Sequence, residues 1–81
     1  MTIFIPDLPE FAPLREGLEA ADYCRVQSPR LGYWRVDASR QMTLSRRGLG
    51  LSPALWYSAL SGGYIGRVVQ FDRDTLQIVD E

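Results

Sequence analysis

Nineteen consecutive residues, positions 48–66, carry no formal charge. Inside that segment Ser52-Pro53 pairs a good N-cap residue with a proline at the first helical position. Gly62-Gly63 further on suit a left-handed helix stop. A helix is therefore predicted from Pro53 to Leu60 or Ser61. At about 100° per residue, Ser52, Leu55, Trp56, Ala59 and Leu60 fall on one side, and Ala54, Tyr57, Ser58 and Ser61 on the other. A helix without an ion anywhere on its circumference needs cover on more than one side. Yet 81 residues provide little interior, because a chain this short buries only about 60–65% of its unfolded surface. Two readings follow. Either this is the central core helix, wrapped by sheet, or its Ala54–Tyr57–Ser58–Ser61 side is covered by another chain, most commonly as a symmetric homodimer. A membrane span is excluded, since Pro53, five Gly and three Ser interrupt the apolar run.

The rest of the chain reads as one small domain. Residues 2–5 form a short strand or docking arm. Pro6, Pro9 and Pro13 then interrupt, so the first helix should open with Pro13 at its first position. Leu14, Leu18 and Ala21 share its inner face with Phe11 in phase, while Arg15, Glu16, Glu19 and Asp22 lie outside. Gly17 should weaken this helix by about 0.5–1 kcal/mol relative to Ala. Residues 23–27 alternate as a strand, and Ser28-Pro29-Arg30-Leu31-Gly32 is a turn cluster. Residues 33–38 and 41–47 alternate on either side of Ser39-Arg40, which predicts a hairpin. Residues 48–51 read as a loop. Residues 64–72 and 75–80 read as a second hairpin about Asp72-Arg73-Asp74. The order β-α-β-β-β-α-β-β, with strands in hairpins and not alternating with helices, predicts a small single α+β domain, 1–81. It has an antiparallel sheet built from two β-hairpins and two helices, and whether the hairpins form one sheet or two is open.

Composition removes most catalytic chemistry. The chain has no His, no Lys, no Asn and one Cys. Without His there is no Ser–His or Cys–His nucleophile and no ordinary neutral-pH base. Without Lys there is no Schiff base and no P-loop lysine. With Cys24 alone there is no zinc set. No cofactor is implied, and a non-catalytic role is expected. The single Cys and the lack of a signal segment predict a cytoplasmic protein. Exclusive use of Arg, with no Asn, fits a GC-rich bacterial genome.

Nine Arg against ten acids give a net charge of −1, but the charges are sorted. Residues 25–67 hold seven Arg and only Asp37, and the flanking segments are acidic. Surface pairing between the acidic ends and the Arg-rich middle is the simplest consequence. A second reading places Tyr23, Arg25, Tyr33, Arg35 and Arg47 on one sheet face, with Gln41, Thr43 and Ser45 between them. Such a face could stack bases and bind phosphates as a nucleic-acid-binding module. A third feature is Arg46-Arg47-Gly48-Leu49-Gly50-Leu51-Ser52, a glycine-bearing strand-to-helix junction that would attract an anion. Cys24 reads as a small buried hydrophobe, Trp34 and Trp56 as core anchors, and Asp72 and Asp74 as turn residues. The functional expectation is a protein-interaction domain that self-associates through segment 48–66. Nucleic-acid binding through the Arg/Tyr face is the alternative.

Overall fold

The computed structural model describes residues 1–80. It is a mixed α+β domain in which two antiparallel sheets and three α-helices enclose one core. In chain order these are β1 (Thr2–Pro6), α1 (Ala12–Glu19), β2 (Cys24–Arg30), β3 (Tyr33–Ala38) and β4 (Met42–Ser45). They are followed by α2 (Arg46–Leu49), α3 (Pro53–Tyr57), β5 (Tyr64–Ile65), β6 (Arg67–Phe71) and β7 (Thr75–Val79). The first sheet has the order β2-β3-β1-β5 and the second β4-β7-β6.

The first sheet grows around β1. Its chain leaves through a 3₁₀ turn at Pro9–Phe11 and enters α1. Leu14 and Leu18 of α1 are buried, as the apolar spacing predicts. The chain then returns as the β2–β3 hairpin, so β3 pairs with β1 on one side and β2 on the other. This is a split β-α-β arrangement. Ile3, Ile5 and Val36 turn inward against α1 and are fully buried. Strand β2 lies at the edge of the sheet, where the register shift between Gln27 and Arg30 absorbs Pro29. Proline is tolerated there because an edge strand has no outer partner to hydrogen-bond.

The second sheet contributes Met42, Leu44, Leu76 and Ile78 to the same core. Trp56 closes it, fully buried and edge-on to Phe71 at 5.7 Å between ring centroids. The indole Nε1 donates to the Asp72 carbonyl at 2.6 Å, which ties α3 to the turn between β6 and β7. At that turn the Asp72 carboxylate accepts from the backbone N–H groups of Asp74 and Thr75 (3.0 and 2.8 Å). Hydrogen bonds from Gln70, Asp74 and Thr75 hold this carboxyl below its ordinary range.

Four local expectations are corrected. Residues 33–38 and 41–47 do not form a hairpin: β3 pairs with β2 and β1, while β4 crosses to pair with β7. Ser39-Arg40 is thus a connection between sheets, anchored by Ser39 N–H to the Tyr23 carbonyl at 2.9 Å. Residues 48–51 are not a plain loop, because α2 covers Arg46–Leu49 and stops at Gly50 with φ 69°. The third helix stops at Tyr57. Beyond it the chain tightens into successive i→i−3 bonds, Ala59 to Trp56 and Ser61 to Ser58, a tighter winding that draws Ala59 into the core. The strand expected at 64–72 is cut at Gly66, whose φ of 133° only glycine adopts freely. The cut hands the chain from one sheet to the other. Gly17 has a packing reason, since the Leu49 side chain occupies the place where a Cβ would project.

Candidate interaction surfaces

Three regions carry the functional expectations, and the fold treats each differently. The first is the uncharged face of α3. Ala54 and Ser61 are exposed, Ser58 is half-buried, and Tyr57 is 56% exposed. Leu55, Trp56, Ala59 and Leu60 lie inward or half-inward. The division into two sides survives the shortening of the helix, although Ser52, assigned to the inner side, is exposed. The Ser58 hydroxyl donates to the Ala54 carbonyl at 3.1 Å, so its polarity is turned back onto the helix. The Tyr57 ring rests at 5.9 Å on Phe71 of β6. That strand is an edge of the second sheet, and Val69 at its register shift is 47% exposed.

The second region is the junction of Arg46, Arg47, Gly48, Gly50 and Ser52. Its groups are largely engaged within the chain. The Arg46 guanidinium, 12% exposed, donates from Nε to the Arg73 carbonyl (2.9 Å) and from Nη1 to the Leu51 carbonyl (3.1 Å). Its Nη2 donates to Asp74 Oδ1 (3.3 Å). The Arg47 Nε lies 3.7 Å from the same carboxylate. Ser45 accepts from the Gly48 N–H and Ser52 from the Leu55 N–H, so both helix starts are capped by their own side chains. The arginines of this junction clamp α2 to the β6–β7 turn.

The third region is the outer face of the first sheet. Because side chains alternate, the strands that bury Ile3, Ile5 and Val36, and half-bury Trp34, turn Phe4, Tyr33, Arg35 and Asp37 outward. Arg25 and Gln27 of β2 complete the rows opposite Asp37 and Arg35. Of the residues assigned to one Arg/Tyr face, Arg25, Tyr33 and Arg35 therefore share it. Arg47 does not: it follows β4, which belongs to the other sheet, as do Thr43 and Ser45. Tyr23 sits just before β2, half-buried, with the Arg40 guanidinium 4.4 Å over its ring.

Sequence reasoning missed four members of this face, Phe4, Gln27, Arg30 and Leu31. Phe4 is hidden in Ile3-Phe4-Ile5, where three apolar residues in a row give no alternation to read. Its ring carries the Arg35 guanidinium at 5.8 Å. Arg30 and Leu31 were read only as turn residues. Phe4, Gln27, Arg30, Leu31, Tyr33 and Arg35 line a cleft of about 380 Å³. Leu31 is 96% exposed and has φ 55°, followed by Gly32 at 85°. Two successive positive φ values mark a tight two-residue turn that normally takes Asn-Gly. Asp37 is the one acid on this face. It accepts from Thr2 (2.7 Å), Gln27 (3.2 Å) and Arg35 (3.1 Å). Burial pushes its carboxyl up, but those hydrogen bonds from Thr2 and Arg35, with the charges of Arg35 and the Met1 amino group, together hold it below its ordinary range.

Elsewhere, the Trp34 indole donates to Asp7 at 2.9 Å and carries Arg15 at 4.6 Å, so it anchors the rim of the core more than its centre. Cys24 is half-buried; burial pushes its thiol up, against the nearby charge of Arg40. No helix among the described residues is long and apolar enough to cross a membrane. Comparison with known proteins adds no assignment, because no family model matches the chain and no curated protein matches its sequence significantly.

Proposed function

We propose that this chain is a non-catalytic interaction domain that joins a second copy of itself through the uncharged face of α3. The observation that carries the reading is Tyr57. It is a large aromatic side chain held 56% exposed against Phe71, between the small exposed residues Ala54 and Ser61, in a segment with no ion to solvate it. Tyrosine is favoured in interface cores because its ring gives area at little entropic cost while its hydroxyl keeps a polar partner. Small neighbours let a second backbone approach. On the edge strand β6, which holds Phe71, Val69 is a further exposed apolar side chain. A twofold axis would bury this patch on both copies at once. The missing His and Lys support a non-catalytic role. A single half-buried Cys and the Arg-only basic composition support a bacterial cytoplasmic setting.

Light scattering over a micromolar dilution series tests this. A dimer mass that falls on dilution, and a monomer mass throughout for Tyr57→Arg, are expected. Wild-type protein that is monomeric across the series, with Tyr57→Arg indistinguishable from it, overturns the reading.

A further inference from the structure

The outer face of the first sheet has a composition that self-association through α3 leaves unused. Its two central strands, β1 and β3, present the exposed ring of Tyr33 and the half-buried ring of Phe4, over which Arg35 lies. Arg35 lies directly opposite Phe4 and two residues from Tyr33 on β3, and Arg25 and Arg30 stand on the β2 side. Three arginines face one acid, Asp37, which accepts from Thr2, Gln27 and one of those arginines, Arg35. The face is thus positive on a chain whose net charge is −1. Among the described residues neither Arg25 nor Arg30 forms an ion pair, whereas Arg35 is paired with Asp37 at 3.1 Å and Arg15, Arg46 and Arg47 are paired elsewhere. At the rim Leu31 is held outward by a backbone conformation that leucine disfavours.

We infer that this face binds single-stranded nucleic acid, with bases stacked on Tyr33 and Phe4 and backbone phosphates on Arg25, Arg30 and Arg35. The chemistry selects this occupant. Phe4 pairs with Arg35 and Pro6 with Tyr33, so the two rings are diagonal neighbours, about 7–8 Å apart at their backbones. Consecutive unstacked bases of an open strand can occupy such a pair. An acidic peptide would satisfy the arginines but has no flat group for the rings. A duplex keeps its bases stacked inside, and a shallow open face of short strands has no helix or ribbon to push into a groove. Stacking is tolerant of sequence because every base has a π-face.

Fluorescence anisotropy with labelled single strands of about 12 nucleotides, RNA and DNA, and the matching duplexes tests the inference, with protein raised to about 100 µM at low salt, the weak end of non-specific affinities. Single strands are expected to bind at least tenfold more tightly than duplex. Tyr33→Ala is expected to weaken binding roughly 5- to 150-fold, the effect of losing one base–aromatic stack. Three phosphate contacts on a single strand give a slope of about −2 in log K against log salt, and Arg30→Ser should reduce it by about 0.7. Tyr33 and Arg30 are exposed, and circular dichroism verifies that both variants fold. Tyr57→Arg is expected to bind normally, so failure of self-association and failure of this inference are separable. No binding at the highest concentration overturns it. So does equal affinity for duplex, an unchanged Tyr33→Ala, or a polyglutamate competitor as effective as the oligonucleotide.

Discussion

Leu31→Asn is expected to stabilise the domain. Leu31 has φ 55°, in the left-handed region, where a Cβ crowds the following carbonyl at a cost of about 1–2 kcal/mol. Asparagine relieves part of that cost through local hydrogen bonding, and glycine relieves nearly all of it. Nothing offsets the strain from the leucine side, because a residue 96% exposed contributes almost no burial in the folded monomer. The expected gain for asparagine is about 0.5–1 kcal/mol, and a gain of 1 kcal/mol raises Tm by about 4–8 °C in a domain of this size. Leu31→Gly relieves more strain but loses about 0.5–1 kcal/mol to the freer unfolded chain, so its net gain should be close to that of asparagine. Leu31→Ala keeps the Cβ and should stay within about 0.5 kcal/mol of wild type. Leu31→Val, branched at Cβ, should be less stable than wild type. Paired calorimetric and urea melts measure the series. An order in which asparagine is no more stable than alanine refutes the claim that backbone strain is stored at this turn.

Two further outcomes follow from the same fold. Gly62→Ala is expected to cost about 1–3 kcal/mol, as overpacking does, because its Cβ would fall inside van der Waals contact of the Phe4 carbonyl oxygen, which cannot retreat without breaking β1; an unchanged urea midpoint would refute this. Asp37 is held below its ordinary value of 3.8, so its contribution to stability is complete above that pH and is lost as pH falls through the lower folded-state value. Asp37→Asn should therefore flatten the acid limb of a Tm-against-pH curve while leaving its neutral slope unchanged.

The elements that follow from local patterns are the ones that the sequence makes legible. Leu14 and Leu18 on α1, the Ser52-Pro53 start of α3, and the turn at Asp72-Arg73-Asp74 all depend on neighbours a few residues away. Strand pairing does not. The alternation in residues 33–38 and 41–45 correctly separates Val36, Met42 and Leu44 from Arg35, Thr43 and Ser45. It fixes which side of each strand is buried but not which strand lies beside it. The polar Ser39-Arg40 step serves a change of sheet as well as it serves a hairpin. The pattern from Pro53 to Leu60 or Ser61 predicts a helix with two sides; the sides hold apart from exposed Ser52 and the length does not, because ending at Tyr57 requires knowing that Ala59 must reach the core. The outer face was half legible for the same reason. Arg25, Tyr33 and Arg35 alternate visibly, whereas Phe4 sits among isoleucines and joins them only through the β1–β3 register.

The sorting of charge along the chain looks different once the fold is known. Pairing between the acidic ends and the basic middle accounts for Arg46 and Arg47, both on Asp74. Arg15 is paired within its own helix to Glu16 and Glu19, Arg35 is paired on its own strand with Asp37, and Arg40 lies on Tyr23. The arginines left facing water from the first sheet are therefore few and close together. The acids of α1 and of the β6–β7 turn are engaged in other parts of the fold. Such a field is local. At physiological salt it decays over about 8 Å, so a net charge of −1 neither attracts nor repels a polyanion from a distance, and the face can act only by contact. This is why the salt slope expected for the single-strand complex is about −2 and not the value near −10 of a highly basic binder. It is also why removing the Tyr33 ring should weaken the complex more than removing any one arginine. If Arg25→Ser or Arg30→Ser instead proved the more damaging change, the face would be an electrostatic site and its aromatic rings incidental.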